Sequence, residues 1–140
     1  MLTSLSEKQF AEDVQTVIDS ILVKKSYANY VFTAKSIGTI ALSQLLANRH
    51  YKDAKAIWLT PLLQRSDVYD GLLNCRHQGM CFIGDEDPCY IEEKLHPLKL
   101  NQKLTLHLIP GANHSLDQHH HAVDSIDILK DVIGKIDDFL

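Results

Sequence analysis

The chain has 140 residues, of which 45% are apolar and 23% are charged. This length and composition indicate one globular domain with a sizeable core and exclude a disordered chain. The formal net charge is −4, and the sequence has no cluster of basic residues. Nucleic acid is therefore not expected as a partner.

The sequence carries no targeting or membrane signal. No apolar run approaches the roughly 20 residues that a membrane-spanning helix needs, and residues 1–8 lack the apolar core of a signal peptide. Cys75, Cys81 and Cys89 show no Cys-x-x-Cys spacing, which is typical of free thiols in a reducing compartment. These features predict a cytoplasmic protein without membrane contact.

The first half of the chain predicts a helix, a strand and a second helix. Apolar residues recur at helical spacing from about Glu7 to Lys24, and Ser6 is a suitable N-cap for that helix. An apolar, strand-like run then begins at Tyr30 and stops at Ser36, where an apolar helix starts and continues to about residue 48. The pattern therefore predicts a sharp turn at Ser36.

Three further apolar runs predict strands, at residues 56–59, 80–83 and 104–109. Residues 62–78 are predicted to form a loop with a short helix, and the last helix is predicted over residues 123–140. The apolar residues on one side of that helix are Ile126, Leu129, Ile133, Ile136 and Leu140. Near-continuous apolar strands between helical segments are typical of a parallel sheet covered on both faces. The sequence thus predicts a single α/β domain over residues 1–140, with about four mostly parallel strands.

The turn at Ser36 has a composition suited to a reactive serine. In Ala34-x-Ser36-x-Gly38, small residues let the strand and the helix approach closely while the turn exposes the hydroxyl group. The helix that starts there presents its positive end, with the backbone N–H of Ile37 facing any negative charge that develops. No role is predicted for Lys35.

Candidate partners of this serine follow the later strands. Asp87 comes after the third strand and His114 after the fourth, and functional residues of open α/β sheets gather just beyond the carboxyl ends of the strands. A histidine can take the serine proton, and an acid fixes the imidazole tautomer and stabilises its cation. Asp85 and Glu86 are alternative acids.

These segments resemble the α/β-hydrolase superfamily, and its small bacterial members in particular. Residues 34–38 look like the nucleophile elbow, with Ala34 where the family usually has glycine. Gly-x-x-Asp-Pro at 84–88 and Gly-x-x-His-x-Leu at 111–116 look like its acid and base segments.

The resemblance implies a serine hydrolase of the carboxylesterase type that needs no cofactor or metal. Ser36 would be the nucleophile, Asp87 the acid and His114 the base, acting on a small-molecule acyl ester through an acyl-enzyme. The backbone N–H of Ile37 would stabilise the oxyanion. The alternative is a non-catalytic binding or interaction module that retains the fold.

The resemblance covers nearly all of this chain but only the C-terminal half to two-thirds of the family's domain. The family's N-terminal strands, and the loop that supplies a second oxyanion donor, have no counterpart in the sequence. Three interpretations follow: the sequence is a fragment or a truncated reading frame, a second polypeptide completes the site, or the protein no longer catalyses. For the chain as it stands, we expect impaired activity. We also expect an open edge on the strand that bears Ser36, and hence a homo-oligomer formed through that strand, most simply a dimer.

Other histidines are weaker candidates. His119, His120 and His121 invite a metal interpretation, but adjacent residues point in different directions and zinc sites use spaced ligands. We expect a solvated run there and no metal. His107 lies within a predicted strand and is expected to be a partly buried, neutral side chain.

Overall fold

The structure is a computed structural model that describes residues 6–140. Its elements, in chain order, are α1 (Glu7–Leu22), β1 (Val31–Lys35), α2 (Gly38–Leu45), a 3₁₀ turn (Arg49–Tyr51), β2 (Lys55–Leu59), α3 (Ser66–Leu73), β3 (Gly79–Gly84), α4 (Glu92–Lys99), β4 (Leu104–Ile109) and α5 (Ala122–Phe139).

The four strands form one parallel sheet in the order β1-β2-β3-β4. The register aligns Ala34 with Trp58, Trp58 with Cys81 and Cys81 with Leu106. Every residue of β3 is buried, as expected for a central strand covered on both faces. The predicted fold class is confirmed, and the parallel arrangement brings the carboxyl ends of all four strands to one edge of the sheet.

Helices cover both faces of the sheet. One face packs against α2, α3 and α4, and its central side chains include Trp58, Cys81 and Ile83. The opposite face, which includes Ile57 and Phe82, packs against α5. The helix α1 packs against α2 and, through Val14 and Ile18, against Phe32 and Leu45.

The predicted helices are present with small differences at their ends. Ser6 caps α1, because its Oγ accepts a hydrogen bond of 3.1 Å from the backbone N–H of Gln9. The helix ends at Leu22, two residues before the predicted end. Most of α2 is buried, and α3 is the short helix predicted within residues 62–78. Within residues 6–140, no helix is long and apolar enough to cross a membrane.

The helix α4 was not predicted from the sequence. It contains Pro97 in its interior, a residue that normally breaks or kinks a helix. Glu92 and Glu93 occupy its first turn, where the positive end of the helix favours acidic side chains. Leu95 and Leu98 are buried against the sheet, so tertiary packing outweighs the weak local signal.

The last helix turns a different apolar face to the sheet than its spacing suggested. Its packed side chains are those of Ile128, Val132, Ile136 and Phe139. The exposed apolar side chains of this helix and its end are Val123, Ile126, Leu129, Ile133 and Leu140. Apolar residues occupy two adjacent faces of α5, and helical periodicity alone does not tell which of them meets the sheet.

The three cysteines are free, as predicted, and the structure shows that they are also buried. Cys81 lies in the centre of the sheet with no exposed surface. Burial raises the pKa of its thiol to about 12, so Cys81 is an inert core side chain.

Candidate active site

Ser36 follows β1 directly and adopts an unusual backbone conformation. Its φ is 52°, in the left-handed region that residues other than glycine seldom occupy. The backbone N–H of Ser36 donates to the carbonyl of Leu59 at 3.0 Å, and the buried Thr39 donates its hydroxyl to the Ser36 carbonyl at 2.5 Å. Conformational strain of this kind concentrates at functional sites.

The small residues around Ser36 lie where the strand and the helix meet. A β-carbon placed on Gly38 would lie 3.5 Å from the β-carbon of Ala34, which is ordinary van der Waals contact. A methyl group therefore fits at position 38, but a branched side chain would have to place further atoms in the same contact. This close approach is the physical reason for the small residues on both sides of the serine.

The structure brings Ser36, His114 and Asp87 into one hydrogen-bonded chain. Ser36 Oγ lies 2.7 Å from His114 Nε2, and His114 Nδ1 lies 2.9 Å from both carboxylate oxygens of Asp87. Because a carboxylate only accepts hydrogen bonds, Nδ1 carries the ring proton, and Nε2 is left to accept from the serine hydroxyl.

Burial differs along this chain of hydrogen bonds. The side chain of Asp87 has no exposed surface, whereas that of His114 is 33% exposed. Asp87 Oδ1 also accepts a 2.7 Å hydrogen bond from the backbone N–H of Cys89, which compensates part of the cost of burying the carboxylate. The imidazole is thus oriented from its buried side and open to solvent on the other.

Of the three acids after β3, Asp87 is the one hydrogen-bonded to His114. Glu86 is exposed. Asp85 Oδ1 accepts a 2.7 Å hydrogen bond from the backbone N–H of Gly111, so this carboxylate joins the loop after β3 to the loop after β4. The alternative acids therefore have positions that do not orient the imidazole.

The loops that carry Asp87 and His114 are in direct backbone contact. The backbone N–H of Glu86 donates to the carbonyl of Ala112 at 3.1 Å. A β-carbon placed on Gly84 would collide with that same carbonyl oxygen, so glycine is required where β3 ends. This contact sets the spacing between the acid and the histidine.

Two residues without a predicted role hold the histidine loop. Lys35 Nζ donates to the backbone carbonyl of His114 at 3.1 Å. Asn113 accepts from the backbone N–H of Ser115 at 2.8 Å and donates to Asp117 at 2.5 Å. Asparagine is a typical residue for such a local turn, so the sequence contained a signal for the role of Asn113. The Lys35 contact joins distant segments of the chain and has no local sequence signal.

The backbone N–H of Ile37 is available to a ligand. It has no hydrogen-bond acceptor among residues 6–140, and it lies next to Ser36 at the N-terminal end of α2. The orphan N–H groups at a helix N-terminus favour negative charge, so this N–H is suited to the oxyanion role predicted for it.

One group of side chains within residues 6–140 is close enough to hold a metal ion. The ligand atoms of Asp87, Cys89 and His114 all lie within 4.8 Å of one another. Burial first, and then the charge of Asp87, raise the pKa of the Cys89 thiol, which disfavours the thiolate that metals bind. Both Asp87 oxygens already accept from His114, so the arrangement suits a hydrogen-bonded acid and base better than a metal.

The other four histidines considered in the sequence analysis do not belong to this group. His119, His120 and His121 are exposed. His107 is half-buried and stacks on Phe82, with their ring centroids 4.7 Å apart. Burial, and secondly the charge of Lys135, lower the pKa of His107, in line with the neutral side chain expected.

Comparison with solved structures supports the fold. The chain is similar to a protein described as a predicted CIB-like hydrolase from Thermoplasma acidophilum, with a TM-score of 0.67 and 12% sequence identity. The superposition covers 96% of this chain and 61% of that chain. No protein-family model matches the sequence, and no curated protein matches it either. The similarity supports the α/β fold of this chain.

Proposed function

We propose that the protein is a serine hydrolase of the carboxylesterase type, with Ser36, His114 and Asp87 as its catalytic triad. The observation that carries this proposal is the chain of hydrogen bonds, 2.7 Å from Ser36 to His114 and 2.9 Å from His114 to Asp87. The three residues come from three different strand ends, and the backbone at the serine is in a rare conformation, so chance proximity is a poor explanation.

The geometry supports acyl transfer in two steps. In the first step, His114 Nε2 takes the proton as Ser36 Oγ attacks the ester carbonyl, and Asp87 stabilises the resulting imidazolium. The imidazolium then gives this proton to the departing alkoxide, which leaves an acyl group on Ser36. In the second step, His114 takes a proton from water as the water oxygen attacks the acyl carbon. The imidazolium then returns a proton to Ser36 Oγ as the bond from Oγ to the acyl carbon breaks, which releases the acid and restores the serine.

The oxyanion of each tetrahedral intermediate would be bound by the backbone N–H of Ile37. One such donor is worth roughly 10²–10³ in rate, and hydrolases of this kind use two. We propose that Ile37 supplies one of these two donors, and that a site with Ile37 as its single donor would turn over slowly.

The proposed substrate is a small-molecule acyl ester, and we propose a cytoplasmic setting for the reaction. The half-exposed Ser36 and partly exposed His114 leave the reacting atoms open to such a molecule. The three free, buried thiols suit a reducing compartment. The acid and base segments support a relationship to small bacterial esterases.

The proposal is tested by hydrolysis of p-nitrophenyl esters. We expect Ser36→Ala to lose the activity while its circular dichroism spectrum stays that of the parent, because alanine removes only the nucleophilic oxygen. Ser20→Ala is the matched control, since Ser20 is exposed on α1 and should retain full activity. Equal turnover by Ser36→Ala and the parent would refute the proposal, and no turnover by the folded parent would favour a non-catalytic module.

A further inference from the structure

The strand β1 has an open edge. Hydrogen bonds from Ser36 N to Leu59 O and from Lys55 N to Tyr30 O show that the even-numbered residues of this segment face β2. Backbone groups alternate in direction along a strand, so the N–H and C=O groups of residues 31, 33 and 35 point away from β2. In the described part of the chain, no strand lies on that side, and these residues are exposed.

The edge lacks the usual protection against strand pairing. Edge strands are normally blunted by proline, by bulges or by several charges, but β1 is regular and reads Val-Phe-Thr-Ala-Lys. Its single charge, on Lys35, is turned towards the carbonyl of His114. The edge is therefore a suitable template for another strand.

An apolar groove runs beside this edge, between α1 and β1. It has a volume of about 250 Å³, and its walls include Val14, Ile18 and Phe32, while Ala34 and Gly38 make room at its floor. On α1, Val17 and Ile21 continue the apolar surface at helical spacing and are 60% and 48% exposed. Apolar surface thus extends from the open edge across the neighbouring helix.

We infer that this edge binds a second copy of the same chain, with β1 paired antiparallel to β1 of the partner about a two-fold axis at Thr33. In this register Thr33 faces Thr33, Val31 faces Lys35, and each pair exchanges two N–H···O bonds. The large Phe32 faces the small Ala34, and no like charges oppose each other. The strand is therefore complementary to itself, as a two-fold interface requires.

The same register places the groove and α1 in the interface. Phe32 of the partner lies over Ala34, at the floor of the groove. The axis is perpendicular to the sheet, so both α1 helices lie on the same face and can cover the exposed Val17 and Ile21. Stable interfaces bury roughly 1,200–2,000 Å² of accessible surface. The α1 surface would add to the area that the strand pair buries.

The dimer does not complete either active site. Antiparallel pairing sends the two Ser36 residues to opposite ends of the shared edge, so the partner supplies no oxyanion donor. The inference is independent of the proposed function, since the edge is open whether or not Ser36 reacts.

A cysteine crosslink tests the interface and its register. Hydrogen-bonded antiparallel partners have α-carbons about 5.5 Å apart, within the roughly 4.4–6.8 Å that a disulfide spans. We therefore expect Thr33→Cys to form a covalent dimer under mild oxidation. The native cysteines are buried, so they should not contribute to crosslinking. Thr105→Cys, exposed on the opposite edge strand β4, should stay uncrosslinked. Failure of Thr33→Cys to crosslink, or equal crosslinking by Thr105→Cys, would overturn the inference.

Sedimentation velocity provides the second measurement. We expect the parent to be a dimer at micromolar concentration and Thr33→Lys to be a folded monomer, since it places like charges together on the axis. Thr105→Lys should remain a dimer. A compact monomeric parent would refute the inference, and so would a dimeric Thr33→Lys. If Thr33→Lys does not fold, the crosslink decides the question.

Discussion

Two regions that meet at Ser36 are built in opposite ways. At the strand ends, the polar side chains form hydrogen bonds with one another within the chain, from Ser36 to His114 and from His114 to Asp87. Along the β1 edge, the outward backbone groups of Val31 and Thr33 have no strand to pair with in the described part of the chain.

The contrast predicts that the proposed catalysis and the proposed association are separable. The strand-end site needs no partner to hold its geometry, because its buried carboxylate and its strained turn are fixed by local contacts. The outward backbone donors and acceptors of the β1 edge have no second strand within residues 6–140. A substitution at the strand-end site should therefore leave the oligomeric state unchanged, and a substitution on the β1 edge should leave the esterase activity unchanged.

The largest expected effect separates the two neighbouring acids of the strand-end site. Asp87→Asn should lower kcat by about 10⁴, because an amide no longer fixes the His114 tautomer. Asp85→Asn should lower it less than about tenfold, since an amide oxygen can still accept from the Gly111 N–H. Steady-state kinetics with a p-nitrophenyl ester measures both.

The same two variants also test whether the two regions are independent. Both should sediment like the parent, because neither carboxylate lies on the β1 edge. Equal kinetic losses in the two variants would contradict the role of Asp87 as the orienting acid.

A smaller effect is expected from packing between the acid and base loops. Gly84→Ala should lower the free energy of unfolding by about 1–3 kcal/mol, because the new methyl group meets the carbonyl of Ala112. Gly134→Ala is the matched control, since nothing lies within 4 Å of a β-carbon there. In helix α5 it should raise the free energy of unfolding by about 0.5–1 kcal/mol.

Urea denaturation measures both changes. A Gly84→Ala variant as stable as the parent would show that the two loops do not make this backbone contact. Loss of stability at the loop contact without loss of the proposed dimer would show again that the two regions are independent.

The parts of the fold that could be read from the sequence carry local signals. The four strands are short apolar runs closed by turn residues, and the segments around Ser36, Asp87 and His114 each follow one of them. The helix α4 was missed because Pro97 interrupts its pattern. The orientation of α5 was missed because Ile128 and Ile126 lie on two competing apolar faces.

The contacts that hold the candidate site were less accessible to sequence reasoning. The Lys35 ammonium reaches the carbonyl of His114 across 79 positions of the chain. The requirement for glycine at position 84 comes from the backbone of Ala112 in a different loop. Such contacts depend on which strand ends become neighbours, and no local pattern encodes that.

The central claim is that Ser36 is a nucleophile activated by His114. Its most direct test is reaction with a fluorophosphonate probe, followed by intact-mass measurement and peptide mapping. We expect one adduct per chain, located on Ser36, and no adduct in His114→Ala. A folded parent chain that gains no adduct, or gains one on a residue other than Ser36, would contradict the claim.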